Sequence, residues 1–356
     1  MKRLMSGNAA LGESAVLAGC TCYFGYPITP QNELTEYMAK RMPEAGGVFI
    51  QSESEIAAIN MVLGASVTGA RAMTSSSSPG MSLKQEGISY LAADELPAVI
   101  VNMVRGGPGM GNISPAQSDY MQATRGGGHG DYKTIVLAPG SVQELTEIVP
   151  LAFELADEYR NPVVILGDGM LGQMMEPVSF DNIKSPKVYP KDYILTGAQG
   201  RPSRMVRSLL FDTKEEEEHN WKLFRKYQRI EQNEVRYETF MVEDAEMVAI
   251  AYGIGARIVR GAIKRLRQEN LKIGMIRPVT LWPFPAKIIQ ETAKKVSDFF
   301  VFEMSTGQMV EDVKLSLEGK GHIHFYGRPG GVIPTPIELY RIISRHYYQA
   351  RRGKKQ

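Results

Sequence analysis

The sequence predicts an α/β protein: a parallel sheet with helices on both faces, then a charged connector, then a smaller α/β unit. Three observations predict it. Over 1–190, short apolar runs alternate with helix-length segments, the pattern of strands joined by crossover helices. Over 191–244 the chain becomes Pro- and Gly-punctuated and then dense in both charge signs. Over 245–356 a strand–loop–helix–strand pattern restarts and runs for about 110 residues, an ordinary domain size.

Taken in order, "GNAALGESAVLAGC" reads as a helix with small residues on its buried face, and "TCYFGYP" as a strand entering a loop. "NELTEYMAKRM" is an amphipathic helix with Asn32 the expected cap. "GGVFIQSES" is a strand, and "EIAAINMVLGASVTG" a helix rich in Ala and Gly. "RAMTSSSSPG" is a strand ending in a hydroxyl-rich turn, "SLKQEGISYLAADE" a helix, and "PAVIVNMVRGGPGMG" a strand opening into a Gly-rich loop. "VQELTEIVPLAFELADEYR" is a helix and "NPVVILGDGML" a strand. "TKEEEEHNWKLFRKYQRIEQNEVRYE" has sparse apolar residues and reads as a solvated helical connector. "EMVAIAYGIGARIVRGAIKRLRQENLKIGMIRPVTLWPFP", "DFFVFEMS", "HIHFYGRPGG" and "PTPIELYRIISRHY" supply the second unit.

Composition excludes several classes. Hydrophobic residues make up 43% and charged residues 22% of 356 residues, an ordinary globular balance. A net charge of +2 argues against a nucleic-acid partner, and the basic end "RRGKKQ" reads as a short solvated tail. No apolar run reaches membrane-spanning length, so no membrane association is expected. Ser6, Gly7, Asn8, Gly12 and Glu13 interrupt the apolar start of the chain, against a signal peptide. Cys20 and Cys22, spaced C-x-C, read as reduced thiols of a cytoplasmic protein. Two cysteines cannot ligate a four-Cys iron–sulfur cluster.

The chemistry-bearing residues collect after strands, where parallel sheets hold their ligands. In "FGYPITPQNE", Pro27 and Pro30 flank Ile28 and Thr29; the segment suits a surface turn or a ligand loop. Glu55 stands at a strand–helix junction. With Ser52 it fits an S-x-x-E capping box, which the window alone favours; the functional account is a carboxyl in apolar surroundings, with a raised pKa. Glu53 reads as solvated or paired. "TSSSSPG", with Ser76 and Ser77, offers hydroxyls and turn amides, or is an ordinary serine-rich turn. Arg105 suits bidentate capture of a carboxylate or phosphate, or is a surface arginine at a loop. His129 in "GGGHGD" is a lone histidine and reads as structural. "YGIGARIVRGAI" has Gly253 and Gly255, but Ile258 occupies the third glycine position, so it reads as a tight strand-to-helix turn. "GDG" at 167–169 lacks a downstream Asn at a spacing that would complete a magnesium–diphosphate motif, so Asp168 is read as a turn residue. Thr29, Glu55, Ser76 with Ser77, and Arg105 fall in four strand-end loops on one expected sheet edge, which favours a ligand site.

"YPITP", "ESEIAAI", "SSSSPG", "VRGGPG" and "HGDY", in this order, resemble the alpha-type subunit of thiamine-diphosphate-dependent 2-oxoacid:ferredoxin oxidoreductases. "GIGARIVRGAI" and "GRPGG" resemble that family's transketolase-C-terminal-like second domain. The likeness covers nearly the whole chain and is greatest to the branch acting on 3-methyl-2-oxobutanoate (2-oxoisovalerate). It implies a pyrimidine-type thiamine-diphosphate-binding domain over 1–190, the connector over 191–244, and the transketolase-like domain over 245–356.

The resemblance also implies roles. The family's Glu that hydrogen-bonds the cofactor's aminopyrimidine falls on Glu55, which turns the preference from the cap to the catalytic reading. The family's substrate-contact Thr falls on Thr29 and its substrate-carboxylate Arg on Arg105. Pro27, Ile28, Ser76 and Ser77 fall at cofactor-binding positions, and no metal ligand falls on this chain. The implied reaction is oxidative decarboxylation of a 2-oxoacid to its acyl-coenzyme A, with electrons passing to ferredoxin. Thiamine diphosphate is implied to be shared with a beta-type subunit, with Mg2+ and the iron–sulfur clusters on partner subunits. Gamma-type and ferredoxin-like subunits complete the implied complex, a dimer of heteromers. Two alternatives stand beside it: the same chemistry on 2-oxoglutarate or pyruvate, and a non-catalytic α/β binding or scaffold subunit.

Overall fold

The computed structural model describes residues 2–353. Arg351 and Arg352 of the expected basic tail are exposed in the last helix, and 354–356 lie outside the described residues. In chain order the elements are β1 (Arg3–Ser6), α1 (Gly7–Leu17), β2 (Cys22–Gly25), α2 (Asn32–Glu44), β3 (Val48–Gln51), α3 (Glu55–Val67), β4 (Ala72–Ser76), α4 (Ser78–Ala93) and β5 (Ala98–Val104). There follow α5 (Tyr120–Arg125), β6 (Ile135–Leu137), α6 (Val142–Tyr159), β7 (Pro162–Asp168), α7 (Gly169–Gln173), β8 (Met175–Val178), α8 (Thr213–Asn233) and β9 (Tyr237–Phe240). The rest are β10 (Met247–Ile250), α9 (Gly253–Gln268), β11 (Ile273–Pro278), β12 (Thr280–Trp282), α10 (Ala286–Ala293), β13 (Asp298–Glu303), α11 (Met309–Leu317), β14 (His322–Gly327) and α12 (Pro336–Gly353).

The α/β fold class expected from the sequence is the one observed. The larger sheet has the order β12-β6-β7-β5-β4-β2-β3 and is parallel except at β12. Strands β4, β5 and β7 are buried along their whole length, which is why they read as near-continuous apolar runs. Helix α1 packs with α2 and α6, and α3 packs with α4, so two helical layers cover the sheet. The smaller sheet has the order β14-β13-β10-β11-β9 and is parallel except at β9. Gly253 begins α9 with φ +53°, the tight strand-to-helix turn expected of "YGIGAR".

Several local expectations are corrected. Gln31 is the N-cap of α2, without a side-chain capping bond, and Asn32 is the first helical residue. Its amide instead donates to Thr29 Oγ1 at 3.3 Å. Ser54, not Ser52, caps α3 by accepting from Ala57 N, so the Ser52/Glu55 capping box does not form. The Ser52 hydroxyl is spent on the Gly25 and Ser54 carbonyls. The charge-dense connector is not solvated all round: Leu223, Tyr227 and Ile230, at i, i+4 and i+7 of α8, form a buried stripe under its charged face. The β1–β8 antiparallel ribbon was not visible in the sequence, because strands of four residues carry too little periodicity.

Two strands lace the units together. β9, from the connector region, pairs antiparallel with β11, and β12, from within the second unit, pairs antiparallel with β6 of the larger sheet. Side chains complete the join. Gln117 donates through Nε2 to the Tyr252 carbonyl at 3.0 Å and accepts through Oε1 from Met304 N at 3.0 Å. Buried Arg277 of β11 donates to Glu144 at the start of α6 at 3.0 Å, and Tyr120 OH donates to Asp312 at 2.5 Å.

Candidate functional site

Strands β3, β2, β4 and β5 are neighbours and parallel, so their C-terminal ends share one edge. Residues 26–30 leave β2, Glu55 follows β3, Ser76 and Ser77 close β4, and Arg105 follows β5. The one-edge arrangement expected from the sequence is the arrangement found.

Thr29 and Arg105 are brought together. Arg105 is 8% exposed, and its Nη1 donates to the Thr29 carbonyl at 3.0 Å while Nη2 donates to the Met110 carbonyl at 3.1 Å. The guanidinium therefore ties the β2 loop to the Gly-rich loop. Its Nε is buried with no partner, a donor left for a ligand. Ile28 and Thr29 are half-buried, Pro27 is exposed, and the Ile28 carbonyl accepts from Gln31 N at 3.0 Å.

Glu55 and Ser76 also meet. Both converge on the first turn of α4: a Cβ added at Gly80 would come within 2.1 Å of Ser76 Oγ and 2.5 Å of Glu55 Oε1. Only glycine admits so close an approach. Glu55 is 6% exposed, whereas Glu53 is exposed to solvent, as expected. The Ser76 and Ser77 hydroxyls are fully buried and make no hydrogen bond. Two buried orphan hydroxyls, one of them (Ser76) meeting the Glu55 carboxyl at Gly80, are costly unless a ligand satisfies them.

The two pairs are joined through residues the sequence did not single out. Ser78 accepts from Arg105 N at 3.1 Å and donates to Asp119 at 2.7 Å, and Asn102 Nδ2 donates to the same carboxylate at 2.9 Å. Burial raises the Asp119 pKa, and the bonds from Ser78 and Asn102 pull it back. On the other side of β4, Ser75 donates to Gln31 Oε1 at 2.5 Å and bonds Tyr23 OH at 2.6 Å. Nothing in the sequence marks Asn102 except that it is a polar residue within "AVIVNMV". The second unit braces the loop after Arg105: Asn112 Nδ2 donates to the Gly330 carbonyl of "GRPGG" at 3.0 Å.

The remaining candidates stand apart. His129 is exposed and lines a surface cleft with Asp94, Asp131 and His219. Asp168 caps α7, accepting from Met170 N and Leu171 N at 3.0 Å, and burial pushes its carboxyl up to about 6. Among the described residues no group of three or more His, Cys, Asp or Glu could hold a metal ion, and no helix is long and apolar enough to cross a membrane.

Residues 13–244 match the family described as pyruvate flavodoxin/ferredoxin oxidoreductase, thiamine-diphosphate-binding, and residues 245–339 match pyruvate:ferredoxin oxidoreductase core domain II. The chain is 49% identical to ketoisovalerate oxidoreductase subunit VorB of Methanothermobacter marburgensis, over 96% of each chain. It is 37% identical to 2-oxoglutarate synthase subunit KorA of Methanothermobacter thermautotrophicus, over 95% of this chain and 97% of that one. Its structure is similar to a 2-oxoglutarate:ferredoxin oxidoreductase from Magnetococcus marinus, with TM-score 0.87 and 28% identity, over 97% of this chain and 65% of that chain. A split-gene transketolase shares the fold at TM-score 0.60 and 15% identity, over 97% of this chain and 98% of that one. The protein is a member of the pyruvate flavodoxin/ferredoxin oxidoreductase family of oxidoreductases, carrying its thiamine-diphosphate-binding domain and core domain II.

Proposed function

We propose that this chain is the alpha-type subunit of a complex that oxidatively decarboxylates 3-methyl-2-oxobutanoate to its acyl-coenzyme A, with electrons passed to ferredoxin. The observation that carries the reading is the site itself: the buried, unpartnered Ser76 hydroxyl beside the Glu55 carboxyl, with the Ser77 hydroxyl also buried and unpartnered, one strand away from the Thr29–Arg105 pair. The 49% identity to a ketoisovalerate oxidoreductase subunit supports the branched-chain substrate. The same reading divides the chain into a pyrimidine-type domain over 1–190, the connector over 191–244 and a transketolase-C-terminal-like domain over 245–356.

The donor set fits the uncharged aminopyrimidine end of thiamine diphosphate. When bound, that cofactor supplies the nucleophilic carbon and the electron sink that a 2-oxoacid needs to lose CO2. Glu55 holds or releases a proton at the pyrimidine ring nitrogen. Ser76 and Ser77, with Pro27 and Ile28, seat the ring. Thr29 presents its hydroxyl to the 2-oxoacid, between prolines that cut the entropy of ordering the loop. Arg105 offers its unspent Nε to the substrate carboxylate. No comparable ligand set for a metal-bound diphosphate is present among the described residues. We assign Mg2+ and the diphosphate to a beta-type subunit, and the iron–sulfur clusters to that subunit or a ferredoxin-like one, with a gamma-type subunit in the complex.

Co-expression with the partner subunits and an assay of coenzyme-A-dependent reduction of a low-potential acceptor, across a 2-oxoacid panel, tests this. The expected result is the highest kcat/KM for 3-methyl-2-oxobutanoate. A higher value for 2-oxoglutarate or pyruvate would keep the chemistry and overturn the substrate; no turnover of any 2-oxoacid would overturn the reading.

A further inference from the structure

One residue beneath the site is not used by this reading. Lys84 is fully buried in α4. It stands four residues after Gly80 and so lies one turn below it on the same helical face. Gly80 is where Ser76 and the Glu55 carboxyl converge. Thr74 precedes Ser76 by two residues in β4 and shares its face of the strand. The two levels are thus stacked: Ser76, Gly80 and the Glu55 carboxyl above, Thr74 and Lys84 below. Lys84 Nζ donates to Thr74 Oγ1 at 2.9 Å and reaches the Glu55 carbonyl at 3.5 Å.

A buried ammonium with one close acceptor is expensive, and an apolar residue at this position would not carry that cost. Glu55 is the opposite charge acting on it. Of the elements packed against α4, α3 supplies Glu55, β5 carries no ionisable side chain, and β7 carries Asp168, spent on capping α7. On α4 itself Glu86 accepts from Tyr90 OH at the surface. Desolvation pulls the ammonium down to about 7, and the Glu55 carboxylate opposes that pull.

We propose that Lys84 is a positioning residue for Glu55: anchored on Thr74 and reaching the Glu55 carbonyl, its ammonium holds the start of α3 and so the aim of the carboxyl one helical turn above it. This rests on the assignment of Glu55 above. Removing a cation that lies one helical turn below a carboxylate favours the protonated acid. The acid limb of the pH profile must then move upward, and Thr74, which steadies the cation, must act in the same direction.

The test uses the reconstituted complex with Lys84→Met, which keeps length and apolar bulk but removes the charge. Lys84→Met is expected to lower kcat by ~10-fold or more, with KM for the 2-oxoacid within about twofold, and to move the acid limb up by about one pH unit, the scale of a lost neighbouring charge. Calorimetric affinity for thiamine diphosphate with Mg2+, measured against pH, is expected to show the same upward displacement. Thr74→Val leaves the lysine in place and is expected to give a smaller displacement of the same sign; it also serves if Lys84→Met does not assemble. Unmoved profiles in whichever variants assemble would overturn the inference. Glu55→Gln, run in parallel, separates the two claims: if it is inactive while the Lys84 and Thr74 profiles stay unmoved, only the lysine's role falls; if it is active, the assignment of Glu55 falls.

Discussion

At the residue scale the proposed chemistry rests on two side chains, Glu55 and Arg105. Glu55→Gln keeps the shape of the carboxyl but not its proton exchange. It is expected to leave assembly intact and lower turnover by at least ~100-fold, the scale for a positioned acid–base group. Near-normal activity of the assembled variant would remove Glu55 from catalysis. Arg105 has two duties, because Nη1 and Nη2 hold the Thr29 and Met110 carbonyls while Nε is unspent. Arg105→Met is expected to cost about 2–4 kcal/mol in kcat/KM, as a charge-assisted pair and a loop tie are lost together, while thiamine diphosphate affinity holds. A fall in cofactor affinity at unchanged substrate KM would show that its ligand is the cofactor.

Helix α4 carries two opposed features at the scale of the element. Ala exceeds Gly in helix propensity by ~1 kcal/mol, so Gly80→Ala would stabilise an isolated helix. In the fold its Cβ would meet Ser76 Oγ at 2.1 Å and Glu55 Oε1 at 2.5 Å. The variant is therefore expected to lower both the melting temperature and cofactor affinity, and a raised melting temperature would contradict the close approach. Lys84 adds a pH dependence whose sign is fixed. Its folded value of about 7 lies below the usual 10.5, so between these values the unfolded chain binds a proton that the folded chain does not. Stability from this group therefore rises with pH across that window. Thermal melts should show Lys84→Met more stable than the parent at pH 7, with the gap closing towards pH 10. A gap that widens with pH would reverse the sign of the burial effect.

For the whole molecule the question is what one chain can do alone. Its two units are laced by β9 and β12 and pinned by Gln117, Arg277 and Tyr120, so the isolated chain is expected to fold. In the proposed reading it supplies groups to the pyrimidine and the substrate, and no metal-ligand cluster is found among the described residues. The diphosphate is the most charged part of the cofactor and needs a metal with oxygen ligands. Calorimetric titration with Mg2+ and thiamine diphosphate is expected to give weak or no binding alone and tight binding with the beta-type partner. Micromolar binding by the isolated chain would mean that it holds the diphosphate itself.

The sequence by itself determined the fold class and the position of the site. Strand–helix alternation requires a parallel sheet, and a parallel sheet puts every strand's C-terminal end on one edge. Thr29, Glu55, Ser76, Ser77 and Arg105 were therefore legible as one edge before any coordinate, and the family resemblance supplied their roles. What the tertiary structure decided is what touches across the strands. That Arg105 is tied to Thr29, that Gly80 is the surface on which Ser76 and Glu55 meet, and that Lys84 lies below them all depend on contacts between residues far apart in sequence. The same holds for the placement of β9 on the smaller sheet and β12 on the larger, since a three- or four-residue strand takes its partner from packing and not from its own pattern. The cap of α3 is not legible in the sequence for a related reason: Ser52 and Ser54 both qualify by type, and only the backbone path, which spends Ser52 on the Gly25 carbonyl, assigns the helix start to Ser54. Periodicity is a local signal and survives in one dimension; the partner of a buried polar group is a property of three-dimensional packing, and a single sequence does not encode it by spacing.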